Sequence, residues 1–279
     1  MAGLAIEPGL SAWAARTALE PAAADEPNLA CPSPAQYRYQ EQERIMFVCL
    51  DPATWQGREY DNHTTDLKDI KLPKLDVDQW CRAALAWGAR EILFVAKHTG
   101  GFCWWRTDTT DYCVKNVAWK NGRGDLLDEV AQACRRHGLN LGIYIYPGDD
   151  QWGAYIGSGG RTADPNLQEQ YNQVLRRQWT EVLSRYHDLV IELWFDRSCY
   201  VPLGDIFEKY VSDRVVYFQG PHANLRWVGN EAGFAPYPAW NTLKKQDLAT
   251  GIATAVHGDP DGDAWAPLEC DTTLYDHYW

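Results

Sequence analysis

Short, largely apolar runs recur along the sequence, and helical stretches separate them. The runs are residues 44–50 (RIMFVCL), 91–96 (EILFVA), 141–146 (LGIYIY), 189–195 (LVIELWF) and 215–219 (VVYFQ). They are rich in β-branched and aromatic residues and lack a regular polar alternation, which predicts strands buried on both faces. Between them, Asp76 precedes a stretch with Trp80, Ala83, Ala84 and Trp87 at helical spacing and Gly88 as its stop. Residues 125–138 carry acids in the first turn, Arg135, Arg136 and His137 in the last, and Gly138 at the end, as a helix dipole favours. A long helix is predicted from about residue 165 to 186, and another over 203–213. Residues 225–229 read as a short strand or an extended loop, and 265–270 (WAPLEC) as the last strand. Strands alternating with helices imply right-handed βαβ crossovers and a mainly parallel sheet.

The strands end in chemistry. His98, Tyr146, Asp196 and Glu269 stand at or just past the ends of four of them. Polar side chains at successive C-terminal strand ends are the signature of a (β/α) barrel of TIM type. A doubly wound sheet would carry a glycine-rich phosphate loop after its first strand, and Asp51-Pro52-Ala53 is not one. An eight-stranded barrel needs more strands than are clear here, so the fold expected is an α/β barrel, incomplete or irregular towards its C-terminal end. Residues 1–28 are expected to be a mobile Ala/Pro-rich leader, and residues 29–279 a catalytic barrel domain.

The net charge of −12 argues against a nucleic-acid partner, since phosphates need Lys and Arg to neutralise them. No apolar run approaches the roughly 18 residues of a membrane span. The N-terminal stretch lacks a basic n-region and makes a poor signal peptide. The eight cysteines form no C-x-x-C pair, which favours free thiols and a reducing compartment, the cytoplasm over secretion. No H-E-x-x-H or G-x-S-x-G occurs, so neither a zinc site nor an α/β-hydrolase is expected. Asp259, Asp261 and Asp263 read as a solvated turn rather than a calcium loop. No cofactor is expected, and the oligomeric state stays open.

Fourteen Trp and fifteen Tyr are a heavy aromatic load. Most will be packing, yet aromatic faces also cover the C–H faces of sugars. Two acids at such a barrel mouth suggest glycoside hydrolysis, in which one carboxyl protonates the leaving oxygen and another attacks or stabilises the anomeric carbon. Asp196 is the natural nucleophile. Glu231, in RWVGNEAGFAPYPAWN, and Glu269, in PLECD, are the acid/base candidates, because apolar neighbours would raise a carboxyl pKa towards that of a proton donor. The plain alternatives are a loop salt bridge for Glu231, a buried hydrogen-bonded acid for Glu269 and a turn or helix cap for Asp196.

VIELWFD resembles the nucleophile strand of the α-L-fucosidases of glycoside hydrolase family 29. ILFVAKHTGGFCWW, the stretch from TTDYCVKN to LGIYIYP, RWVGNEAGFAPYPAWN and the terminal ECD support the likeness, which runs from about Tyr39 onward. The resemblance implies a retaining mechanism with Asp196 as nucleophile, His98 reading sugar hydroxyls, Trp105 at the pocket wall and Tyr146 as the polar aromatic residue of the third strand. Trp55 and Trp194 are further candidate sugar contacts. Glu231 matches the acid/base of the branch that cleaves branched α-1,3/1,4-fucosides, and Glu269 stays open as its competitor. Four positions depart from the pattern: Thr99 and Gly100 replace the second His and the Asp of H-H-D-G-F, Cys49 stands where the first strand commonly ends in a histidine, and Arg197 follows the nucleophile in place of Gly. The expected function is exo-acting hydrolysis of fucosylated oligosaccharides or glycosides. The alternatives are an inactive glycan-binding barrel, which those substitutions favour, and a retaining glycosidase for a related sugar.

Overall fold

The computed structural model describes residues 29–196, 198–228, 231–249 and 257–274. The leader expected over residues 1–28, and Arg197, lie outside them. Described first is a helix that the strand periodicity does not announce. Ser33 accepts from the Gln36 N–H, and the Gln36 side chain accepts from the Ser33 N–H, so α1 (Pro34–Gln40) begins with a capping box and a proline in its first turn. A cap of this kind contributes about 1 kcal/mol.

Then follow β1 (Ile45–Val48), the short α2 (Ala53–Gln56), α3 (Val77–Ala86), β2 (Glu91–Lys97), α4 (Leu126–His137), β3 (Asn140–Ile145), α5 (Gln168–Tyr186), β4 (Val190–Trp194), α6 (Gly204–Tyr210) and β5 (Val216–Phe218). Asp76 and Asp125 cap α3 and α4 by accepting from Gln79 and Asp128 N–H, and Gly138 closes α4 in a left-handed conformation. The five strands form one parallel sheet in chain order. Every residue of β2 is buried, which explains its lack of polar alternation. Side chains still alternate between two cores. Ile92, Phe94 and Ala96 pack towards the helices, whereas Leu93 and Val95 join Tyr144, Tyr146, Trp194 and Phe218 on the inner face.

Past β5 the architecture changes to β6 (Arg226–Trp227), β7 (Thr242–Leu243), α7 (Lys245–Ala249), β8 (Ala264–Trp265) and β9 (Leu268–Glu269). A parallel bridge joins Phe218 to Leu225, β6 pairs in parallel with β9, and β7 pairs antiparallel with β8. The run expected as one strand over 265–270 is split at Ala266 and Pro267, where proline has no N–H for a ladder. No ladder joins β9 to β1 among the described residues. Instead α1 spans that side: Gln36 donates to the backbone carbonyls of Asn224 and Trp265, both at 2.8 Å, and Tyr39 donates to Glu269. The fold is thus an α/β barrel with five regular parallel strands and an irregular remainder. Among the described residues no helix is long and apolar enough to cross a membrane, and the eight cysteines are unpaired.

Candidate active site

The chain leaves β4 through Phe195 into Asp196, whose φ of 52° is left-handed. A non-glycine residue there is strained, at a cost of order 1 kcal/mol or more. The turn swings the carboxylate out of the strand line, and Tyr144 of β3 donates its hydroxyl to Asp196 Oδ2 at 2.8 Å. Burial, and then the Asp196 charge, push the Tyr144 pKa well up, so the phenol remains a donor.

His98 follows β2 and is buried. Its Nδ1 lies 3.3 Å from Asp51 Oδ2, and Asp51 Oδ1 accepts from the Ala53 N–H at 2.8 Å. A proton on Nδ1 donated to Asp51 makes Nε2 the acceptor of the neutral ring. Around the imidazole stand Tyr144, Tyr146 and a stacked Tyr60, with centroids 5.8, 6.4 and 6.0 Å away. The Tyr146 hydroxyl accepts from Gly157 N–H at 2.7 Å.

The turn after His98 is held from beneath. Lys97 and Asp149, 0% and 1% exposed, form an ion pair at 3.3 Å, and Lys97 also donates to Gln178 at 3.1 Å. Gly101, at φ 86°, lies so close that a Cβ would stand 2.5 Å from Asp149 Oδ1. Gly100 has its own constraint: a Cβ there would meet Asp61 Oδ2 at 2.6 Å. Asp61 is fixed by Tyr112 (2.5 Å), Gln56 (2.7 Å) and the His63 N–H (2.9 Å). Where the resemblance leads one to expect an aspartate in the HHDGF turn, Gly100 makes room for a carboxylate from the loop after β1.

The two glutamates have different surroundings. Glu231 is exposed, and its carbonyl accepts from Thr273 N–H at 2.9 Å. Burial raises the Tyr60 hydroxyl pKa, its hydrogen bond to Glu59 and the Glu59 charge raise it further, and the charges of Asp196 and Glu231 add least. Glu269 accepts from Tyr39 and, at 3.1 Å, from Trp194 Nε1. Burial raises its pKa, and Glu192 is its carboxyl neighbour. Trp194 stacks between Tyr144 and Phe218 (5.6 and 4.1 Å), which links Glu269 to the ring that holds Asp196.

Tyr146, Trp194 and Cys49 thus share the inner core that holds Tyr144, the partner of Asp196. The Cys49 thiol is pushed well up by burial and Asp51 and stays neutral. Trp105 and Trp55 pack with the helix-side core instead, and the Trp105 indole donates to Glu181 of α5 at 3.0 Å. Sequence reasoning missed Tyr144, Asp51, Tyr60 and Asp61. Tyr144 had a signal: in a strand it must share the face of Tyr146. Asp51, Tyr60 and Asp61 come from an irregular loop with no periodicity to read. Among the described residues no three His, Cys, Asp or Glu are grouped to hold a metal ion.

Fold and site together define an α/β barrel with a poised carboxylate among tyrosine and histidine rings at its C-terminal rim. The sequence profile described as alpha-L-fucosidase matches residues 35–233, and the chain belongs to that family. A relative from Oryza sativa subsp. japonica, provisionally named alpha-L-fucosidase 1, is 34% identical over 259 residues, covering 89% of this chain and 48% of its own. Alpha-L-fucosidase 1 of Arabidopsis thaliana is 30% identical over 264 residues, covering 89% and 49%. This chain therefore spans about half the length of the curated relatives it matches. Among solved structures, a glycoside hydrolase family 29 member from an unknown rumen bacterium superposes with a TM-score of 0.74 at 28% identity, over 89% of this chain and 48% of that one. A Ruminococcus gnavus family 29 fucosidase in complex with fucose gives 0.74 at 25% identity, over 92% and 57%.

Proposed function

We propose that this chain hydrolyses terminal α-L-fucosides with retention, and that residues 29–279 form the catalytic unit. The observation that carries the reading is Asp196: a carboxylate lifted from the end of β4 by a left-handed turn and held by Tyr144. Asp196 attacks the anomeric carbon as the glycosidic C–O bond breaks, and Glu231 gives its proton to the departing oxygen. Glu231 then takes a proton from water, which displaces the enzyme carboxylate and releases fucose. Glu231 is favoured over Glu269 because Glu269 is engaged from within the barrel by Tyr39, Trp194 and the Glu192 carboxyl, whereas Glu231 is exposed in the loop after β6 and open to a leaving group and water. His98, fixed by Asp51, and Tyr146 are assigned to the sugar hydroxyls, and fucosylated oligosaccharides or glycosides are the substrates.

Hydrolysis of 4-nitrophenyl α-L-fucoside by wild type and Asp196→Asn tests this. Turnover that falls by about 10³-fold or more in the variant supports it. Fucose binding without turnover in either protein would mark an inactive glycan-binding barrel instead.

A further inference from the structure

The loops after β3 and β4 border an open cleft of about 530 Å³, walled by Gly157, Ser158, Arg161, Ser198, Cys199 and Tyr200, with Arg161 and Tyr200 exposed. Its size is that of a small-ligand site. Ser198 lies two residues beyond Asp196, and Gly157 donates to Tyr146 of the ring cluster around His98, so the cleft opens beside the proposed sugar site. The two loops meet backbone to backbone. Tyr200 N–H donates to Gly159 O at 2.7 Å, and a Cβ on Gly159, at φ 63°, would stand 2.3 Å from Ser198 O.

Arg161 sets the chemistry of this cleft. Its guanidinium lies 4.1 Å from the centroid of the Tyr200 ring. Arg135, Arg136, Arg176 and Arg185 pair with Asp188, Asp78, Asp205 and Asp125. Among the described residues no carboxylate pairs with Arg161. In a chain of net charge −12, with Asp196 and Glu231 at the mouth, an anionic ligand would otherwise be repelled. An arginine laid on a tyrosine face keeps its in-plane N–H edge for a two-point contact with a carboxylate or sulfate.

We propose that this cleft is a leaving-group subsite in which Arg161 selects fucosides whose aglycone carries an anionic group, a carboxylate or a sulfate. The proposal rests on the fucosidase reading above. Its test compares 4-nitrophenyl α-L-fucoside with ring-carboxylated and ring-sulfated counterparts. Wild type favours the anionic substrates in kcat/KM by about fivefold to tenfold, the scale of a charge-assisted contact at an exposed site. Raising salt to about 0.5 M weakens that preference. The ratio of anionic to neutral kcat/KM collapses in Arg161→Ala, chiefly through KM, and is partly kept in Arg161→Lys. A preference for only one of the two anions identifies which group the site takes. Binding of the same glycosides to Asp196→Asn, measured by calorimetry, reads the subsite without turnover. If wild type hydrolyses all three with no charge preference, or Arg161→Ala keeps the wild-type ratio, the subsite falls and the hydrolase reading stands. If nothing is hydrolysed but anionic glycosides bind better in an Arg161-dependent way, the hydrolase reading falls and the anion site stands.

Discussion

Tyr144 donates its hydroxyl to Asp196 Oδ2 at 2.8 Å, from the neighbouring strand and across the inner face of the sheet. A phenol held protonated by burial gives the carboxylate a fixed direction in its strained turn, which suits the nucleophile proposed for this position. Tyr144→Phe removes that bond and little volume. It is expected to lower kcat for an aryl α-L-fucoside by about 10- to 100-fold, with a nearly unchanged thermal unfolding midpoint. An unchanged kcat would show that the bond has no part in positioning Asp196.

The ion pair beneath His98 is buried on both sides, so removing one partner strands the other charge. Lys97→Met should cost about 3–5 kcal/mol in urea unfolding. Adding Asp149→Asn should recover a large part of it, because the stranded charge is then gone. A double variant as unstable as the single would mean that lost packing, not the orphaned carboxylate, sets the cost.

Gly100 and Asp61 occupy one space. Gly100→Asp alone places a side chain where Oδ2 of Asp61 already lies, 2.6 Å from a Cβ at 100. The expected result is a loss of about 2 kcal/mol or more and a strong fall in activity. Combining it with Asp61→Gly should restore part of both. Independent, additive losses in the two single variants would contradict the exchange.

Three carboxyls share the barrel interior. Burial holds Glu91 at about 7, against an ordinary value of 4.5. Burial and the charges of Glu269 and Glu91 push Glu192 well up, and burial raises Glu269. Neither Glu192 oxygen receives a bond from an N–H or O–H donor of another residue type, so only a proton shared with its carboxyl neighbours can bond it. The folded state therefore holds protons that the unfolded chain releases, and stability falls as pH rises. For Glu91 the contribution is complete below about 4.5 and is lost as pH climbs through about 7. Glu192→Gln should stabilise the protein by about 1–3 kcal/mol at pH 8 and less at pH 5. Thermal unfolding at the two pH values checks this, and an equal shift at both would contradict it.

The five regular strands were legible because each is an apolar run that ends in a polar residue, and the helices because Asp76, Asp125 and Gly138 mark their ends. The rest of the barrel was not legible. Its strands are two residues long and set by pairing between distant segments, such as Arg226 with Leu268, which no local pattern encodes. Asp196 was visible as the acid at the end of a buried run. Its partner was visible only through strand alternation, since Tyr144 and Tyr146 share a face. Asp61 could not be found at all, because its role depends on the missing side chain at Gly100. Trp105 shows the opposite case: the FCWW stretch suggests a sugar wall, yet the indole is committed to Glu181 on the helix side.

The most direct test is covalent trapping. A fluorinated α-L-fucosyl fluoride reacts fast enough to load a retaining nucleophile and too slowly to unload it. Incubation followed by peptide mass mapping should find one fucosyl adduct, on Asp196, and none in Asp196→Asn. An adduct on another carboxylate, or turnover of the aryl fucoside with no trapped enzyme and inverted product, would contradict the assignment of Asp196 as the nucleophile.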